Sequence, residues 1–243
     1  MTETVLVVGA TGNIGVATVI GALRSGRHVI AIVRNQSSAD KLFKHVGSKE
    51  GIKTVEADVA APDGVQRVVS KVQKGELPAF QHVYTCVGGP YSDTPLQEIS
   101  DEELRLNFSL SFEANFFAYR ATIPYLLSQK GTDTTFTMCT GSQGDAGQRP
   151  PPAMTQGALF SMANCAALAN RDNNVRFNEC YLTFRVEVDE DAEQHGVSKS
   201  SDFAAVYEGI LSQKNIRSSR VSVFSPEDFT NLRVKSIPQV PTA

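Results

Sequence analysis

Gly9, Gly12 and Gly15 recur at every third position in the stretch VLVVGATGNIG. Glycine has no Cβ, so a turn built on it lets backbone N–H groups approach a bulky anion. Where such a turn opens a helix, the anion also lies at the positive end of the helix dipole. The predicted chemistry is pyrophosphate binding, with Gly9, Thr11, Gly12, Asn13, Ile14 and Gly15 as the phosphate-side residues. The bland alternative is a tight turn with close helix packing. A second signal is Arg34, at the end of the next apolar run, AIVRN. A carboxylate there would bond the ribose 2′-hydroxyl of NAD, whereas a guanidinium suits a 2′-phosphate. The expected cofactor is therefore NADP(H) in preference to NAD(H), against the simpler reading of an exposed strand-end arginine.

These residues need elements to hold them, and the apolar runs supply a regular series. Strands are predicted at 4–9, 28–33, 52–57, 82–87, 134–140, 175–182 and 219–224. Helical spacing falls at 13–26, 37–47, 63–74, 101–128 with a break near Ser109, 153–170 and 201–213. Strands alternating with helices of crossover length imply an α/β fold: one doubly wound parallel sheet of about seven strands, helices on both faces. No repeat or Gly/Ser linker divides the chain, so residues 1–243 read as a single Rossmann-like domain. Segments 141–153 and 183–200 read as irregular, and the tail 225–243 as an irregular stretch that wraps the surface or frays.

The bulk properties narrow the partners. A net charge of −3 with no basic block argues against nucleic acid. No run approaches the roughly 20 apolar residues of a membrane span. The start MTETVLVVGATG lacks the pattern of a signal peptide. The four cysteines (Cys86, Cys139, Cys165, Cys180) form no C-x-x-C pair, and three sit in apolar runs as buried free thiols. Together these predict a cytoplasmic protein with a small-molecule substrate. The acidic VEVDEDAE lacks the ligand spacing of a known cation loop, so no metal is expected.

With these residues in place, the chain resembles the short-chain dehydrogenase/reductase family over roughly residues 4–224. The resemblance rests on GATGNIG, on EADVA, on CVGG (86–89) and on VRFN (175–178). It implies that Asp58 and Val59 contact the adenine and that Val87 and Gly88 lie along the cofactor. It also implies a homodimer or homotetramer built through the helices near 101–128 and 153–170. The family's reductases use a Tyr as general acid and a Lys four residues later. They add a Ser about thirteen residues before the Tyr and an Asn on the preceding helix. Register on the helix MTQGALFSMANCAALA puts Met154 at the Tyr position and Ala158 at the Lys position. The Ser position falls on Gly141, beside Ser142, and the Asn position on Ser111, between Asn107 and Asn115. No Tyr or Lys occurs anywhere from 131 to 180.

A positioned general acid is worth roughly 10²- to 10⁴-fold in rate. Its loss predicts a poor ordinary carbonyl reductase. Hydride delivery needs no side chain, so a substrate such as an iminium, which needs no proton, remains possible. Substitute donors are Ser142, Tyr91, Asp145 paired with Arg149, and Tyr181. Each has a plainer role: a turn hydroxyl, a surface aromatic, a solvated loop pair and core packing. His28 and His82 open strands, His45 lies on a polar helix and His195 reads as solvent-exposed. Phe108, Phe112 and Phe116 form a stripe read as core or subunit interface. Three functions follow: an NADP(H)-binding reductase with a degenerate catalytic set acting on a small biosynthetic substrate; a redox-neutral cyclase, isomerase or dehydratase; or an NADP-sensing scaffold. Substrate choice is expected from the segments 90–98, 141–153 and 183–200.

Overall fold

The computed structural model describes residues 2–238. Strand β1 (Thr4–Val8) leads through the glycine turn into α1 (Asn13–Arg24), followed by β2 (His28–Val33), α2 (Gln36–Val46), β3 (Ile52–Glu56), α3 (Gly64–Gln73) and β4 (His82–Thr85). Then come α4 (Asp101–Asn107), a π-helical segment (Phe108–Glu113), α5 (Ala114–Ser128), β5 (Thr134–Gly141), the short α6 (Gln143–Ala146), α7 (Pro150–Ala169) and β6 (Val175–Leu182). The chain closes with β7 (Val186–Glu187), α8 (Asp189–His195), β8 (Ser198–Lys199), α9 (Ser200–Ser212), β9 (Ser219–Val223) and β10 (Arg233–Ser236).

The main sheet has eight strands in the order β10-β9-β6-β5-β4-β1-β2-β3, all parallel except β10. Its central strands β1 and β2 read as near-continuous apolar runs because helices cover both faces; all five residues of β1 are buried. On one face the core joins Leu6, Phe136 and Phe177 to Val65 of α3, Leu126 of α5 and Leu159 of α7. On the other it joins Val5, Val7 and Tyr84 to Val16 of α1 and Phe203 of α9. Strand order reverses between β1 and β4, and ligands of such sheets bind at that crevice beyond the strands' carboxyl ends.

Three expectations are corrected. The tail is not irregular throughout: Arg233–Ser236 pairs antiparallel with β9 and adds an eighth strand to the about seven expected; residues 239–243 of the tail lie outside the described residues. The segment 183–200 is ordered as β7, α8 and β8, with β7 and β8 paired in a small parallel sheet. Helix α7 begins at Pro150 instead of near 153. Its three prolines fill the first turn, where backbone N–H groups have no intrahelical acceptor to lose.

His82 lies at the amino end of β4, remote from the crevice. It is buried, with Nδ1 3.0 Å from Thr135 Oγ1 and Nε2 3.0 Å from Glu3 Oε2. Burial, outweighing the Glu3 carboxylate, holds its imidazole below the ordinary value of 6.5. Below about pH 6.5 the unfolded chain therefore binds the proton that the folded chain declines, and stability present above that pH is lost as pH falls. The urea midpoint is expected to drop between about pH 6.5 and 5.5, and to drop less in His82→Gln. A wild-type midpoint flat over that range contradicts this.

Candidate cofactor and active site

The three glycines of the first turn have different reasons to be glycine. Gly9 holds φ +92°, and a Cβ there would lie 3.1 Å from the Cys86 carbonyl. A Cβ on Gly15 would lie 2.1 Å from the Gly9 carbonyl oxygen, inside van der Waals contact. Gly12 meets nothing nearer than 3.8 Å, so it faces open space. It is also the N-cap of α1, with no side-chain cap and no acidic residue in the first turn. The leading N–H groups are thus left to an external acceptor. An open backbone at an uncapped helix N-terminus fits a pyrophosphate. Thr11 is half-buried and Ile14 packs on the core. The Asn13 side chain turns away from this role: its Oδ1 accepts from Val188 N–H at 3.2 Å, while Ser200 Oγ donates to its carbonyl at 2.7 Å. Both bonds tie the β7–α8–α9 segment to the glycine loop.

Arg34 follows β2 directly and is exposed, with no ion pair among the described residues. Its neighbour Asn35 caps α2, accepting from Ser38 N–H at 2.9 Å. Asp58 is exposed beyond β3 and accepts from Ala60 N–H at 3.0 Å, while Val59 packs on the core. After β4, the Val87 carbonyl accepts from Asn115 Nδ2 at 2.8 Å, Gly88 is exposed, and Gly89 N–H donates to Ser111 Oγ at 2.8 Å. The loop at the crevice is thus fixed from behind by the long helix.

That helix does not break near Ser109 as expected; it widens to π geometry over Phe108–Glu113 and continues. Such segments recur at functional sites. The widening brings both Ser111 and Asn115 onto the loop after β4. Asn115, fully buried, also accepts from Thr85 Oγ1 and donates to the Ser111 carbonyl. Asn107 donates only to Glu103 O, within its own helix. The three phenylalanines form a ladder with centroids 6.3 and 6.4 Å apart, and Phe116 stays exposed.

The substitute donors separate. Asp145 and Arg149 do not pair. Asp145 Oδ2 accepts from Tyr181 OH at 2.8 Å, while Arg149 turns to Asp93 at 3.9 Å and lies over the Tyr91 ring. Tyr181 is buried, and burial together with the Asp145 bond pushes its phenol up to about 12. It packs against Phe160 and Phe224, which is the plainer of its two expected roles. Tyr91 is exposed at 61%. Ser142 stands just beyond β5, its hydroxyl 3.5 Å from the Thr183 carbonyl. Met154 and Ala158 are half-buried on α7. His195 is half-exposed but paired, its Nδ1 2.6 Å from Glu187 Oε2.

Three features escaped the sequence reading. Gln156 of α7 reaches the end of β5, its Oε1 accepting from Gly141 N–H at 2.7 Å. Glu179 is buried between Thr140 Oγ1 (2.6 Å) and Arg220 Nε (2.7 Å), and burial raises its carboxyl above the ordinary value despite both partners. Cys139 and Cys180 are register partners on β5 and β6, beside Tyr84. Burial pushes the Cys86 thiol up to about 12, so it is protonated and a poor nucleophile. Cys180 is buried as expected, Cys86 and Cys139 are half-buried, and Cys165 is exposed. Among the described residues no cluster of His, Cys, Asp or Glu is set to hold a metal ion, and no helix is long and apolar enough to cross a membrane.

A family model for short chain dehydrogenases matches residues 3–189. The protein called Short-chain dehydrogenase/reductase iacG, from Pestalotiopsis fici, is 56% identical over 241 residues, covering 97% of each chain. Among solved structures, ElxO with NADP bound superposes with a TM-score of 0.78 at 15% identity, over 92% of this chain and 97% of that one. A 3-ketoacyl-(acyl-carrier-protein) reductase from Brucella melitensis complexed with NADH gives 0.77 at 16% identity, over 91% and 96%. At these identities the structural likeness speaks to the fold alone.

Proposed function

The chain belongs to the short-chain dehydrogenase family, a family of oxidoreductases, and from that premise we propose that it binds NADP(H) and reduces a small organic substrate of biosynthesis that does not need the Tyr/Lys acid. The observation that carries this reading is an open glycine turn at the uncapped amino end of α1, in a chain whose helix α7 carries no acid. The Gly9–Gly15 loop and the amino end of α1 would hold the pyrophosphate, Arg34 the 2′-phosphate, Asp58 and Val59 the adenine, and Val87 and Gly88 the far half of the nucleotide. When bound, the nicotinamide supplies the hydride. The protein's remaining task is to orient the acceptor and exclude water, with Ser142 as the hydroxyl at the end of β5. Helix α7 carries no Tyr, Lys, His or carboxylate to supply a proton, which favours a cationic or activated acceptor. Exposed Phe116 on α5 and Leu168 on α7 support a homodimer or homotetramer through these helices, and we place the protein in the cytoplasm.

The test is a calorimetric titration of nucleotide-stripped protein with NADPH and NADH. Micromolar NADPH binding and much weaker NADH binding are expected. Arg34→Ala should weaken NADPH by about 10- to 100-fold, the worth of a charge-assisted hydrogen bond, and leave NADH unchanged. Binding of neither nucleotide would remove the reductase in favour of a redox-neutral enzyme. Equal affinity for both would remove the role given to Arg34.

A further inference from the structure

We propose that Cys139 and Cys180 form a dithiol modification site: under a two-electron oxidant of the peroxide class they close to a disulfide across β5 and β6, near the carboxyl ends of both strands. The pairing stands whether or not a nucleotide binds.

Three of the four cysteines stand in one row across the sheet. Cys139 on β5 and Cys180 on β6 are register partners. Thr85 of β4 partners Met138, so Cys86, the next residue, stands beside Cys139. All three side chains pack on the core that faces α1 and α9, so they leave the sheet on one side. Neighbouring strands lie about 4.8 Å apart, within the roughly 4.4–6.8 Å that a disulfide spans between Cα atoms. Cys139 has a thiol on either hand, and the direction of the Cys86 side chain chooses between them. The Cys86 thiol is turned toward β1, donating to the carbonyls of Val8 and Gly9, both at 3.7 Å. Cys180 is left as the partner.

Cys139 is half-buried and Cys180 buried, so the oxidant meets Cys139 first. The Cys139 thiolate attacks one peroxide oxygen, the O–O bond breaks, and water leaves with the thiol's proton. The sulfenic acid so formed is attacked by the Cys180 sulfur. An S–S bond forms, the S–O bond breaks, and a second water carries away the Cys180 proton. The two sulfurs together give up two electrons, which the peroxide takes. The titratable groups facing Cys139 are Cys180, Cys86 and Tyr84. The Cys180 sulfur, together with burial, holds the Cys139 thiol well above its ordinary value. The first step is therefore slow near neutral pH and quickens as pH rises. The bridge joins the strands that present Gly141–Ser142 and Leu182–Thr183, already linked by Ser142 N–H to the Leu182 carbonyl at 3.0 Å.

The test treats reduced protein with excess hydrogen peroxide at about pH 8.5, with and without urea, then alkylates, digests and maps the peptides without reductant. Native wild type is expected to give the Cys139 and Cys180 peptides joined, two hydrogens lighter than their sum, and separated again by dithiothreitol. Cys86→Ser should give the same cross-link. Cys180→Ser should not give it, and its Cys139 should be carried on toward sulfinic acid for want of that partner. Should either variant fail to fold, the wild-type map still decides. Native wild type in which Cys139 and Cys180 stay unlinked while the exposed Cys165 is oxidised overturns the proposal. A Cys86–Cys139 cross-link in native wild type overturns it too, as does a Cys139–Cys180 bridge that forms only in urea.

Discussion

Gly15→Ala is expected to abolish measurable nucleotide binding, and Gly12→Ala to weaken it without harming the fold. The new Cβ of Gly15→Ala would lie 2.1 Å from the Gly9 carbonyl oxygen and 2.7 Å from the Ala10 backbone. Those atoms are main chain, so relief requires the loop itself to move away from α1. Overpacking of this kind costs about 1–3 kcal/mol of stability. On the proposed cofactor reading binding suffers more, because the loop's N–H groups would have to converge on one anion. Losing two charge-assisted bonds, at about 1.5–3 kcal/mol each, weakens binding by about 100-fold or more. Gly12 contrasts with this. Its backbone lies at φ −81° and ψ 169°, which alanine adopts without strain, and its Cβ would meet only open space. The thermal midpoint of Gly12→Ala should therefore change little, while the methyl group would stand where the proposed pyrophosphate approaches. Calorimetry with NADPH and a thermal melt on each variant decide the matter. Wild-type affinity in Gly12→Ala would make the loop a structural turn and nothing more.

The second large effect is on stability, at Arg176. This is the largest fully buried side chain among the described residues. It starts from β6 and reaches the carboxyl end of α9, donating to the carbonyls of Ile210, Leu211, Gln213 and Ile216 at 3.0–3.3 Å. Its Nε donates to Asp133 at 2.9 Å. A helix end leaves its last carbonyls without intrahelical donors, and here one guanidinium satisfies them in a place that water does not reach. Arg176→Met should cost about 3–5 kcal/mol in urea unfolding, the range for breaking a buried ionic group that leaves its partners unpaired. That is a large share of a typical domain's 5–15 kcal/mol. Arg176→Lys should recover only part, because an ammonium cannot address four carbonyls and a carboxylate from one rigid fork. A loss under about 1 kcal/mol for Arg176→Met would refute the capping role. The effect should extend to the site, because α9 packs tightly on α1; a Cβ on Gly21 would lie 2.7 Å from the Ala204 carbonyl.

The central strands were legible because a parallel sheet covered on both faces needs short, nearly continuous apolar runs, and the outer β3 and β9 because they are short and rich in β-branched residues. Every run from TVLVVG to SRVSVF became a strand of the main sheet. Strand β10 was not legible. Its four residues are all exposed and polar but one, and such a segment becomes a strand only because β9 offers it an open edge. Position 176 was readable as part of a familiar strand, but its partners on α9 lie more than thirty residues away.

The chain by itself determined the alternation of elements, the glycine turn and the absence of Tyr and Lys from 131–180, because each is a matter of local composition and spacing. The tertiary structure decided the rest: that Asp145 meets Tyr181 and not Arg149, that Asn115 locks the loop after β4, and that α7 turns Gln156 to the end of β5. The physical reason is common to all three. Which polar group finds which partner, and how far a helix is rotated about its axis, depend on the packing of distant segments. Helix α7 is apolar and small-sided nearly all round, so its own sequence marks no face as inner, and only the sheet and the neighbouring helices set its rotation.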